Sequence, residues 1–128
     1  MTTHNIETMD RIVNGLAENR KLSQVLAHIY AKRNVEIPFS DSMLKIQIAD
    51  MNMSARTTNA IRRARIHTLQ DAVEFNESKK ITSVKNLGRS GCIEFFEAIL
   101  DYFWDNMDKN ERVSFLIDVV ERNSHNLR

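Results

Sequence analysis

Two segments near the middle of the sequence contain residue types that can bind an anion. Residues 54–68 are predicted as a helix with four arginines and no acid, namely Arg56, Arg62, Arg63 and Arg65. Residues 85–100 pass through Asn86-Leu87-Gly88 into an apolar helix that begins near Arg89. The turn should leave little room for a side chain, so that free N–H groups at the helix start can meet a phosphate oxygen. Side by side, the two segments would form one phosphate-binding surface of the helix-hairpin-helix kind.

The basic helix separates core residues from cations when it is wound at 3.6 residues per turn. Its core-facing set is Met53, Ala60, Ile61 and Ala64, and the adjacent flank carries Arg56, Asn59 and Arg63. Arg62 lies on the far side. A solvated surface helix is the plain alternative for this arginine cluster, and an ordinary helix-start turn without a ligand is the plain alternative for Gly88.

Residues 50–100 resemble the C-terminal domain of the bacterial RNA polymerase alpha subunit. The matching blocks are Met51-x-Met53 followed by Ser-Ala-Arg56-Thr-Thr-Asn59-Ala-Ile61, then Ile66-His67-Thr68-Leu69-x-Asp71-Ala-Val73, then Asn86-Leu87-Gly88-Arg89-Ser90. The spacing between these blocks also fits the family. Nothing in the sequence resembles the large N-terminal assembly domain of an alpha subunit. We therefore expect a free-standing relative of the DNA-reading domain rather than alpha itself.

The resemblance implies a fold and a role. The fold is all-helical, a compact helix-hairpin-helix domain, and the role is non-catalytic double-stranded DNA binding in transcription, in the cytoplasm at the nucleoid and without a cofactor. Family residues matching Arg56 and Asn59 reach into the minor groove, where an arginine suits a narrow A/T-rich groove because its potential is more negative. The DNA-binding residues implied here are Arg56, Asn59, Arg63, Asn86, Gly88, Arg89 and Ser90.

The chain departs from its relatives at the start of the long helix. The family carries a lysine and then a serine where this protein has Ser90 and Gly91. One phosphate-contacting charge is lost, although Arg89 precedes the gap and Glu94 keeps the acidic position of that helix. We expect DNA binding to be weaker than in the parent domain, or altered in preference.

The net charge of +1 hides an asymmetry along the sequence. Residues 54–91 hold eight bases against three acids, which gives +5, whereas residues 92–121 hold two bases against eight acids, which gives −6. A basic middle and an acidic C-terminal third predict one anion-binding face and a second face that avoids nucleic acid.

Other function classes find little support in the sequence. The lone Cys92 cannot form an intramolecular disulfide, which favours a reducing cytoplasm, and no signal-peptide pattern or membrane-spanning window occurs. The four histidines are scattered without metal-site spacing, and no nucleotide-binding glycine loop occurs. His67 matches a family position that packs. We expect no catalytic residues and no metal site.

The remaining sequence is predicted as helices around this middle. Apolar residues at helical spacing predict helices over residues 5–19, over 22–30 with an end in the polar run 32–34, over 89–107, and after Asp108. Three N-caps are also predicted: Ser54 for the basic helix, which should end near His67, Thr68 with Asp71 for a shorter helix, and Asp108 with Glu111 for the last one. Between residues 35 and 48 the apolar period is two, which fits either a short hairpin or an extended strap. The predicted domains are a helical N-terminal extension (1–48), the helix-hairpin-helix domain (49–107) and a C-terminal helix packed on it (108–128).

Two function hypotheses follow. The first is a non-catalytic DNA-binding protein. The second is a protein-interaction module that binds RNA polymerase, sigma factor or an activator without binding DNA. In the family, an acidic surface before the basic helix contacts sigma factor and activators; Asp50 matches one of its acids, and Asn52 replaces another. The long helix is apolar over most of its circumference, which leaves intrachain packing and a homodimer open.

Overall fold

Seven α-helices account for most of the described residues, which are 1–31 and 35–128 of a computed structural model. They are α1 (Thr3–Ala17), α2 (Leu22–Ile29), α3 (Asp41–Leu44), α4 (Ala55–Arg63), α5 (Leu69–Ser78), α6 (Gly88–Asp105) and α7 (Lys109–Arg122). Single 3-10 turns lie at Ile48–Asp50, Ile81–Ser83 and Ser124–Asn126. Extended pairing in the described residues is limited to two isolated bridges, so the all-helical class is confirmed.

Capping side chains begin the helices where the sequence predicted them. Ser54 caps α4, and Thr68 and Asp71 form a reciprocal capping box at the start of α5. Asp108 and Glu111 form a second capping box at the start of α7, where the Asp108 carboxylate accepts a hydrogen bond from the Glu111 N–H at 2.8 Å. Each cap satisfies backbone N–H groups that the helix itself leaves without a partner.

The basic helix α4 ends at Arg63, several residues before the predicted end near His67. Arg65 adopts a left-handed backbone with φ 63°, and the Ile66 N–H turns back to the Ile61 carbonyl at 3.3 Å. This closes the helix in a Schellman arrangement, with two buried isoleucines in contact positions. Because glycine is the usual residue at such a position, the arginine here did not indicate a helix end.

The hairpin alternative for residues 35–48 is wrong. Residues 35–40 have no regular secondary structure, which agrees with the extended-strap alternative. The short helix α3 that follows within the same segment was not predicted by either alternative. The bridge in this region joins Gln47 to Thr68, and the Ile48 N–H donates to the His67 carbonyl at 2.8 Å. The alternating segment therefore pairs with the start of α5 instead of folding back on itself. The helix α2 ends at Ile29, with Tyr30 as its C-cap, before the run 32–34 where its end was predicted. That run itself lies outside the described residues.

The protein divides into two compact units, residues 1–38 with 103–128 and residues 39–102. We call them the terminal unit and the central unit. The central unit starts earlier and ends earlier than the predicted 49–107 domain. The predicted domain boundaries, including the docking of the C-terminal helix on that domain, stay predictions.

The terminal unit packs α1 against α2 and α7. Its core holds Ile12, Leu22, Leu26, Val119 and Val120, each at most 1% exposed. Phe103, near the end of α6, meets Phe115 edge to face with ring centroids 6.2 Å apart. The last residues of α6 thus belong to the terminal unit, and part of the broad apolar surface predicted for this helix is used there.

One buried asparagine ties an irregular segment into the terminal unit. Asn123 is 1% exposed, and its side chain accepts the Glu36 N–H at 2.8 Å. The same amide donates to the Glu36 carbonyl at 2.9 Å and to the Val119 carbonyl at 2.8 Å. Because a buried amide needs partners, these bonds fix the backbone of the segment that leaves the unit.

Candidate nucleic-acid interface

The first turns of α4 and α6 lie against each other in the central unit. A Cβ added to Gly91 would stand 3.6 Å from the Thr57 hydroxyl, so Gly91 of α6 contacts the first turn of α4. Both residues are buried. Arg56 and Gly88, one and three residues away from this contact, are therefore brought to the same end of the unit.

A carboxylate fastens the two helices at this contact. The Glu94 side chain accepts hydrogen bonds from the Ser54 N–H at 3.1 Å and from the Ser54 hydroxyl at 2.8 Å. Hydrogen bonds from Thr57 and Ser54 lower the pKa of the Glu94 carboxyl, so the ionised form that accepts these bonds is favoured. The sequence marked Ser54 only as a cap and Glu94 only as a retained acid, and neither was predicted to join the helices.

The exposed side of α4 carries the predicted contact residues. Arg56, Asn59 and Arg63 are exposed, whereas Thr57, Ala60 and Ile61 are buried. The helical spacing predicted the burial of Ala60 and Ile61, whereas Met53 and Ala64 of the predicted core set are only half-buried and the burial of Thr57 was not predicted. The cations of α4 are thus available to a ligand and take no part in the core.

The turn before α6 has an unusual backbone at two residues. Asn86 and Gly88 both have φ 68°, and Leu87 between them is 3% exposed. The buried leucine anchors the turn, while its neighbours hold the left-handed conformation that glycine adopts freely and asparagine tolerates. The first turn of α6 then presents Arg89 and Ser90, both exposed, and contains no acid.

The predicted reason for Gly88 was wrong in one respect. A Cβ added to Gly88 would meet no atom within 4 Å, so crowding does not require glycine there. The positive φ of 68° is the reason that this position favours glycine. Crowding occurs at Gly91 instead, where an added Cβ would stand 2.8 Å from the Leu87 Cδ1. The open space beside Gly88 leaves its backbone accessible to an approaching phosphate.

Two other residues singled out in the sequence have these surroundings. Asp50 is exposed at the end of a 3-10 turn. The His67 side chain is exposed, so the expectation that it packs is wrong; only its backbone is structural, donating to the Asp71 carboxylate at 2.9 Å. That bond and its neighbour from Thr68 lower the pKa of the Asp71 carboxyl.

Metal and membrane features are limited within the described ranges 1–31 and 35–128. No three or more His, Cys, Asp or Glu residues come together there in a group able to hold a metal ion. None of the helices in these ranges has the length and apolar character needed to cross a membrane.

Comparison with known proteins assigns the family. The family of the C-terminal domain of the bacterial RNA polymerase alpha chain matches residues 36–100, just over half of this protein. The protein belongs to this family, which is a non-catalytic domain. The matched range contains α4, the turn that precedes α6, and residues 88–100 of α6.

Individual relatives agree with this assignment. The protein is 30% identical over 82 residues to the DNA-directed RNA polymerase subunit alpha of Onion yellows phytoplasma (strain OY-M), covering 64% of this chain and 24% of that subunit. Identity to the same subunit of Tupiella akineta is 25% over 100 residues, which cover 76% of this chain and 17% of that subunit. Identity to the subunit of Anthoceros angustus is 26% over 100 residues, which cover 73% of this chain and 29% of that subunit. The match thus spans less than a third of the length of these relatives. No solved structure gave a significant match.

Proposed function

We propose that the central unit binds double-stranded DNA, with Arg56 and Asn59 entering the minor groove and the Asn86–Ser90 turn holding the adjacent backbone. The observation that carries this proposal is the contact between the first turns of α4 and α6. Through it, exposed cations and the N-terminal N–H groups of α6 share one end of the unit. This end of the unit combines flexible arginine side chains with backbone N–H donors held in place by the helix, and both can bind the phosphates of a DNA backbone.

The role proposed from this surface is transcriptional and non-catalytic. Family membership supports it, because the matched domain belongs to the polymerase alpha subunit. Phosphate contacts would supply most of the affinity and little of the sequence preference, while Arg56 in a narrow groove would favour A/T-rich DNA. Arg63 shares the exposed flank of Arg56 and is positioned to add a further backbone contact.

Fluorescence anisotropy tests this proposal with labelled A/T-rich and G/C-rich duplexes across a range of salt. Binding should weaken steeply with salt, favour A/T-rich DNA, and fall about tenfold or more in Arg56→Ala. Arg122→Ala serves as the matched control, because Arg122 is also exposed but lies on α7 in the terminal unit. Equal loss in both variants, or no binding at low salt, would contradict the proposal.

A second candidate function is a protein-interaction module for RNA polymerase, sigma factor or an activator. Two observations favour it: Asp50 is exposed, and the lysine and serine of the family are replaced by Ser90 and by a buried Gly91. Pull-down of purified polymerase by the protein, lost in Asp50→Asn and kept in Arg56→Ala, would support this candidate over DNA binding. Retention by both variants would count against it.

A further inference from the structure

The terminal unit contains an open groove between α1 and α2, with a volume of about 270 Å³. Its floor is apolar and buried, formed by Gly15, Val25 and Ile29. Gly15 makes the floor possible, because even a Cβ on this residue would stand 3.0 Å from both Val25 methyl carbons. The two helices therefore approach closely and leave a shallow trough on one side.

The rim of this groove is polar and mainly cationic. It consists of Arg11, Asn14, Glu18, Arg20 and His28. Over the described part of the protein, none of the rim cations forms an ion pair with a carboxylate. With histidine neutral, two arginines face one glutamate, so the rim keeps an uncompensated positive charge beside an apolar floor. Arginine side chains without a carboxylate partner can still bind an external anion.

We propose that the α1–α2 groove docks a short acidic and apolar peptide segment of a partner protein. Charge complementarity selects the peptide: its carboxylates would pair with Arg11 and Arg20. An aliphatic side chain between them would rest on the small apolar surface that the floor leaves open, since Val25 and Ile29 are only 2% and 3% exposed. The size and shallow shape of the trough fit one or two side chains, and a deep enclosed pocket for a small molecule would be larger. This site goes beyond DNA binding by the central unit and depends on the terminal unit alone.

Substitution of Glu18 is predicted to change peptide affinity in the opposite sense from substitution of the rim arginines. Glu18 is the rim residue that repels an incoming carboxylate, so Glu18→Gln should strengthen binding while Arg11→Gln and Arg20→Gln weaken it. Each change in a partly exposed charge contact should alter the affinity about fivefold. All three positions lie at the surface or partly so, and the fold should persist, which circular dichroism melting can confirm.

Anisotropy of a short labelled peptide of alternating aspartate and leucine tests the docking, with the full-length protein as binder. We expect saturable binding that changes as stated in the three rim variants, is unchanged in Arg122→Gln, and is absent for the same peptide with lysine replacing aspartate. Equal effects of Arg122→Gln and Arg11→Gln would overturn the proposal. So would concentration-dependent self-association without peptide binding, because the occupant would then be a second copy. Arg56→Ala should leave peptide binding intact, which separates this site from the DNA surface.

Discussion

The two units use their polar side chains in opposite ways. In the terminal unit, buried polar residues include Asn5, Thr8, Ser23, Asn123 and Asn126, whereas Ile6 and Val13 of α1 are about half exposed. In the central unit, Thr57 is the buried polar residue identified among the described positions, and the arginines and Asn59 of α4 are exposed. The terminal unit thus keeps several polar groups inside, and one of them, Asn123, fixes the irregular segment at Glu36. The central unit keeps them at helix ends, where a ligand can reach them.

The net charge of the two units is nearly equal, and they differ in where the charges lie along the sequence. The terminal unit, with residues 32–34 counted from the sequence, has nine bases and nine acids. The central unit has nine bases and eight acids, with eight of those bases between residues 54 and 91. A nearly neutral total can therefore conceal a strongly basic segment. Local charge at helix ends, more than the net charge of a unit, determines which surface attracts a polyanion.

The largest expected effect is the loss of the buried amide of the terminal unit. Asn123→Ala removes three hydrogen bonds and leaves the backbone groups of Glu36 without partners, so the free energy of unfolding should fall by about 2–4 kcal/mol. Urea denaturation measures this directly. Asn110→Ala, at an exposed position of α7, is the control and should change stability by no more than about 0.5 kcal/mol. A loss below that of the control would show that Asn123 does not organise this unit.

The next effect tests the backbone of the DNA-facing turn. Gly88→Ala should destabilise the central unit by about 1–2 kcal/mol, because φ 68° is strained for alanine although the space beside it is open. DNA affinity should fall with it as the turn relaxes. Thermal denaturation and anisotropy measure both quantities. If stability is unchanged while DNA affinity falls, steric exclusion of the phosphate rather than backbone strain is the reason for glycine.

A smaller gain is expected from restoring the lost cation of the site. Ser90→Lys places an ammonium group on the exposed first turn of α6 and should raise DNA affinity about fivefold, with a salt dependence steeper by about one phosphate contact. Gly91→Ser is the instructive neighbour. Its side chain would meet the Leu87 Cδ1 at 2.8 Å, so it should weaken the contact between α4 and α6 without improving binding. An equal gain from both changes would contradict this account.

The smallest effect concerns the Tyr30 hydroxyl of the terminal unit, which is buried and has no hydrogen-bond partner among the described residues. Tyr30→Phe should stabilise the protein by about 1 kcal/mol or less.

Burial raises the pKa of Tyr30 from 10.0 to about 12, only partly offset by Arg11. Above pH 10 the unfolded protein releases a proton that the folded protein keeps, so wild-type stability should decline as pH rises from 10 to 12. Urea denaturation over this range should show a smaller decline in the variant.

The sequence predicted the elements better than their contacts. Helix periods and the caps at Ser54, Thr68 and Asp108 were confirmed, because each depends on residues three or four positions apart. The early end of α4 at the left-handed Arg65 was missed, since an arginine does not mark a helix stop. The hairpin alternative failed because the partner of Gln47 is Thr68, on a segment the alternating pattern does not reveal.

Only local features followed from the residues alone: the helices, most of their starts, the basic middle and the motifs that assign the family. Packing decided the rest. Glu94 is hydrogen-bonded to Ser54, 40 residues earlier in the sequence, and Asn123 to Glu36, 87 residues earlier. Packing also shows that Gly91, and not Gly88, is the crowded glycine. The physical reason is that propensity and capping act within a turn of helix, whereas these contacts join residues that become neighbours only after the protein has packed.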